Sequence, residues 1–156
     1  MTQPPNSNYL KAISVLFTAL FAGQLIFAAL AFALVSTGSF SSMIPEAENI
    51  FFILVPALII SARLGGTAMF KKKIQQARDT SNVAEKLTIY RAALITRCAL
   101  LEGSGLFAII TYLLTNKIAL LAFAAGGLLL FYLLKPTKEK IVSELQLSDN
   151  EADTIT

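Results

Sequence analysis

At 156 residues the chain has the length of one soluble domain, but 55% of it is hydrophobic and only 15% charged, which excludes an ordinary soluble surface. The formal charge is +3, there is no histidine and there is a single cysteine. Those counts exclude His-ligated haem, histidine-box iron, His-containing zinc sites, His-dependent triads and an intramolecular disulfide.

Residues 1–10, MTQPPNSNYL, are polar with two prolines and read as a disordered lead-in. A membrane domain over 11–135 follows, with four apolar spans at about 12–35, 50–70, 92–114 and 118–134. In the first, Ala31-Phe32-Ala33 matches a small-x-small cleavage site, but the apolar run is far longer than a signal peptide's. Gln24 lies near the middle of this span, where its amide needs a partner inside the bundle. Residues 36–43 form a short loop of turn formers, and Pro45, Glu46 and Glu48 suit the first turn of the second helix. Pro56, deeper in that helix, predicts a kink.

Past Phe70 nothing breaks the helix until Asp79, so KKKIQQAR continues it beyond the membrane, and Asn82 with Glu85 resembles a capping box for the third helix. The second and third helices thus make a long projecting hairpin. Thr115-Asn116-Lys117 is a tight turn into the fourth span, which Lys135-Pro136 ends. The tail, 136–156, predicts a short amphipathic helix on Ile141 and Leu145 and then an acidic, disordered end.

The basic residues stand at the ends of apolar runs rather than along one face, so they set topology and do not point to nucleic acid. Lys71, Lys72, Lys73, Arg78 and Lys86 lie between spans two and three, and Lys135, Lys138 and Lys140 follow span four. The positive-inside rule then places both termini and the basic loop in the cytoplasm, as in a multi-pass protein of a cell inner membrane. Tyr9, Tyr90 and Tyr132 fall at the inner interface and Tyr112 near the outer one. Lys71, Lys72, Lys73 and Arg78 are candidates for contact with anionic headgroups or an acidic partner.

Small residues four apart recur in every span: Ala19 and Gly23, Ser61 and Gly65, Ala99 and Gly103, Ala122 and Gly126. Close helix contact is their expected use. The charges inside the spans form the other candidate site. Arg63 lies seven residues before Phe70 and Arg97 seven after Tyr90, so both are about 10 Å below the inner interface. Glu102 is about 7 Å deeper, near the depth of Gln24, and about 140° around the helix from Arg97, which favours an Arg63 to Glu102 bridge. Glu102, Arg97, Arg63 and Gln24 are therefore the expected intramembrane polar cluster, holding helix register or, alternatively, exchanging a proton or ion at Glu102.

The run from Glu85 to Leu114, with its A-L-x-E core (Ala99, Leu100, Leu101, Glu102) followed by small residues and an aromatic, resembles the carboxylate-bearing helix of rotary ATP synthase c subunits. That resemblance implies that Glu102 carries an ion and that the loop from Lys71 to Lys86 touches a partner stalk. The preceding helix departs from the family in lacking its repeated glycines and in carrying Pro56 and Arg63, and Arg97 departs from it too. There is no Walker sequence, no G-x-S-x-G and no paired set of metal ligands, so an enzyme and a cofactor are not expected. The expectation is an all-α integral membrane four-helix bundle, N-in and C-in. It serves as an accessory or assembly protein whose partners are the lipid bilayer and another protein or a second copy. Ion or small-solute transport at Glu102 is the alternative.

Overall fold

A computed structural model describes residues 9–44, 48–153 and 155. Most of the expected disordered lead-in, and Pro45 and Glu46 of the expected first turn of the second helix, lie outside the described residues. Among the described residues the regular structure is entirely helical: α1 Tyr9–Ser36, α2 Glu48–Arg78, α3 Val83–Thr115, α4 Ile118–Tyr132, α5 Lys138–Leu145 and α6 Asp149–Ala152. Three of them, Tyr9–Ser36, Asn49–Arg78 and Val83–Thr115, are long and apolar enough to cross a membrane. α4 is apolar but has only 15 residues. α2 runs unbroken through Pro56 and on to Arg78.

α3 is the helix on which the rest packs. α1 lies against α3 and α4, α2 against α3, α4 and α5, so α1 and α2 flank the central α3–α4 pair. Two apolar clusters fill the interior. Toward the hairpin end, Phe17 stacks on Phe131 with ring centroids 4.9 Å apart, and Phe70 meets Tyr90 edge to face at 5.6 Å. At the other end Val55, Ile59, Ala108, Ile109, Tyr112, Leu120 and Ala124 close the core. Tyr90 and Tyr112, expected in interfacial belts, are instead fully packed inside.

The turns follow from backbone accounting. Asn82 caps α3 by accepting the Ala84 amide at 2.9 Å. Asn116 ends α3 in the left-handed region at φ 58, its amide returning to the Tyr112 carbonyl at 2.7 Å. Its side chain donates to the Phe40 carbonyl, and the Met43 amide donates to the Leu114 carbonyl, so the loop after α1 satisfies the end of α3. Lys140 Nζ donates to the carbonyls of Leu133 and Lys135 just past the end of α4.

The tail differs from its expectation. Ile141 and Leu145 of α5 are buried as the amphipathic pattern requires, but Leu147 and Ile155 are buried too, and α6 forms inside the acidic end. Glu151 closes a capping box with Ser148 and pairs with Lys86 of α3 at 3.1 Å. The apolar side chains dock the segment against the base of the bundle, and Glu144 and Glu151 bond back to α3 through Tyr90 and Lys86.

The paired small residues also differ. Ala19, Gly23, Ser61, Gly65, Ala99, Gly103, Ala122 and Gly126 all face outward, and nothing lies within 4 Å of a Cβ built on Gly23, Gly65, Gly103 or Gly126. Close approach is made by other glycines. A Cβ on Gly66 would stand 3.4 Å from Arg97 Cγ, and Gly127 lies against the Cα of Gly105.

Candidate functional site

The four residues expected to form one polar cluster occupy three places. Arg63 on α2 and Arg97 on α3 come together: both donate to Thr67 Oγ1, Arg97 Nη2 at 3.2 Å, while Thr67 donates to the Arg63 carbonyl at 2.6 Å. The Arg97 guanidinium also lies over the Phe70 ring, 5.0 Å from its centre, which offsets part of its desolvation. Arg97 Nε is buried with no hydrogen-bond partner. Arg63, Thr67 and Lys71 follow at four-residue spacing and share one face of α2, a pattern present in the sequence. The contribution of Thr67 and Phe70 was missed because neither residue type announces a charge site.

Gln24 is elsewhere. It is 1% exposed and packs onto Gly105, where a Cβ would fall 1.7 Å from Gln24 Nε2. Neither Gln24 Oε1 nor Nε2 has a hydrogen-bond partner. The amide therefore does not find the partner its depth demanded, and Gly105 is the residue that makes room for it.

Glu102 stands apart from both. Among the described residues the only ion pair is Lys86 with Glu151, so the expected bridge to Arg63 is not formed, nor is one to Arg97. The reason is angular: Arg97 is spent on the α2 side of α3, about 140° around the helix from Glu102. Glu102 is only partly buried and sits at the edge of the exposed face of α3. Next to it runs an apolar groove of about 590 Å³ between α2 and α3, whose walls include Ser61, Gly65, Ala99 and Gly103.

At the hairpin, Lys71, Lys72 and Lys73 are exposed, whereas Arg78 is partly buried and tied to the tail, its Nε donating to the Glu144 carbonyl at 2.9 Å. Glu144 in turn accepts the Tyr90 hydroxyl at 2.8 Å. Cys98 is buried as a small packing residue. Among the described residues no group of three or more Cys, Asp or Glu is placed to hold a metal ion.

The architecture is thus that of an all-α protein with helices fit to cross a membrane. Compared with protein-family models, curated proteins and solved structures, the chain matches none.

Proposed function

We propose that this is a multi-pass inner-membrane accessory or assembly protein, with both termini cytoplasmic and α4 as a fourth span. Its partner, another membrane protein or a second copy, docks along the α2–α3 face. One observation carries this reading: among the described residues Glu102 has no ion pair or hydrogen bond, and its helix neighbours Ala99 and Gly103 wall a groove of small residues. A carboxylate in hydrocarbon is costly without a partner, and small residues let another helix approach closely. Leu58 and Leu100, both well exposed, add apolar surface to the same groove. The exposed lysines at the hairpin end supply a second contact for acidic groups.

Exchange of a proton or ion at Glu102 is the second reading, favoured by the absence, among the described residues, of a cation on its carboxylate. Site-specific photocrosslinking separates the two. A crosslinker at Ala99 gives a discrete adduct that Glu102→Gln weakens, while one at Ile26, exposed on α1, does not. On the accessory reading, proteoliposomes are expected to show no proton or sodium flux. Flux that Glu102→Gln abolishes, with no adduct at Ala99, overturns the accessory reading in favour of transport.

A further inference from the structure

The hairpin end of the bundle holds a basic cavity that the function proposed above does not use. It measures about 450 Å³ and lies between α2, α3 and α5. Arg97, Thr67, Lys71, Arg78 and Glu144 line it together with apolar Phe70 and Ile74. A second hollow of about 510 Å³ shares Thr67 and Lys71 with it and adds Arg63. This second hollow opens sideways on the outer surface of α2, past Leu64, which is 67% exposed.

The charges here do not balance. Four cations, Arg63, Lys71, Arg78 and Arg97, face one carboxylate, Glu144, and that carboxylate already accepts the Tyr90 hydroxyl. Arg63 and Arg97 share one neutral acceptor, the Thr67 hydroxyl, and Arg97 Nε has none. Each guanidinium brings five N–H donors, so most of their capacity is unspent. Two arginines held side by side without a counter-charge are unfavourable where water is scarce, unless an anion enters.

We propose that this cavity binds a phosphate group, held between Arg63, Arg97, Lys71 and the Thr67 hydroxyl. The geometry selects the ligand. A carboxylate offers two acceptor oxygens in one plane, whereas a phosphate offers three or more, arranged tetrahedrally, to two forks, an ammonium and a hydroxyl at once. The cavity's own acid is already engaged, bonded through its backbone carbonyl to Arg78 and through its carboxylate to Tyr90. Gly66 lies beside the site, where a Cβ would already be in contact with the Arg97 side chain at 3.4 Å. The lateral opening admits the headgroup of an anionic phospholipid, with its chains along Leu64 and Ala68; the open end admits a soluble phosphate.

The test uses the full chain purified in a neutral detergent. Binding is read by native mass spectrometry with phosphatidylglycerol against phosphatidylcholine, and by thermal shift with inorganic phosphate against chloride at matched ionic strength. Retention of phosphatidylglycerol over phosphatidylcholine identifies the lipid headgroup as the source; stabilisation by inorganic phosphate alone identifies a soluble one. In either case Arg63→Gln with Arg97→Gln lowers binding about tenfold or more, since two charge-assisted contacts are lost. Lys11→Gln, an exposed lysine on α1 away from the cavity, leaves it unchanged. If the double variant fails to fold, Lys71→Gln on the exposed wall still weakens binding several-fold on the same reasoning. No preference for either phosphate source, or equal loss in Lys71→Gln and Lys11→Gln, overturns the site.

Discussion

The sharpest quantitative expectation concerns Gln24. Its amide is buried, both polar atoms lack partners, and its end presses on Gly105. An unsatisfied buried polar group costs about 1–3 kcal/mol, so an apolar side chain of similar reach relieves that penalty. Gln24→Met keeps the contact with Gly105 and is expected to stabilise the protein by about 1–3 kcal/mol. The assay is equilibrium unfolding in mixed micelles with rising SDS, followed by loss of helical circular dichroism. Gly105→Ala is the complementary change. Its Cβ would lie 1.7 Å from Gln24 Nε2 and 3.0 Å from Cδ, so the side chain must move, at about 1–3 kcal/mol as for other overpacked sites. Gln24→Ala should relieve that cost, giving a coupling of at least about 1 kcal/mol in the double-mutant cycle. Destabilisation by Gln24→Met would refute the reasoning, since it would mean that the amide is hydrogen-bonded after all.

Two further expectations concern the ends of α3. The Ser148 backbone amide, joined by Lys86 and the Ser148 hydroxyl, holds the Glu151 carboxyl below the usual carboxylate range. A lowered native pKa contributes stability that is present above the unfolded value and lost as pH falls through the native one. Hydrogen exchange over 148–153 should therefore be constant from about pH 6 to 8 and accelerate, beyond its intrinsic change, only below about pH 4. Glu151→Gln should exchange fast throughout. At the other end, Asn116→Gly should cost about 0.5–1.5 kcal/mol for its lost bond to the Phe40 carbonyl, whereas Asn116→Val should cost about 1–2 kcal/mol more in the same SDS titration, because a β-branched residue resists the left-handed region at φ 58.

How much of this was legible in the sequence varied with the kind of signal. Long apolar runs read directly as helices because length alone carries them, and α2 continues through KKKIQQAR to Arg78 because no breaker precedes Asp79. Which way a helix faces was not legible. A helix apolar all round has no polar stripe to mark its outside, so Ala99 and Gly103 looked like contacts when the contacts are at Gly105 and Gly66. Depth arithmetic set Arg63 and Arg97 at one level, and Thr67 joins them there. It also favoured an Arg63 to Glu102 bridge, which fails because depth says nothing about which neighbour claims the arginine. The tail was obscured by composition: its acidic residues dominate the count, while Leu147 and Ile155 supply the burial.

The short fourth helix has a mechanical consequence. α1, with 28 residues, is about 42 Å long, whereas α4, with 15, is about 22 Å, less than the hydrocarbon thickness of an ordinary bilayer. On the four-span reading, lipid beside α4 must thin while lipid beside α1 need not. Such mismatch costs fractions of a kcal/mol per Å and is relieved by thinner membranes or by a neighbour that covers the short side. On that reading the bundle is a wedge in hydrophobic height, and its surroundings would sense its orientation in the membrane plane as well as its presence.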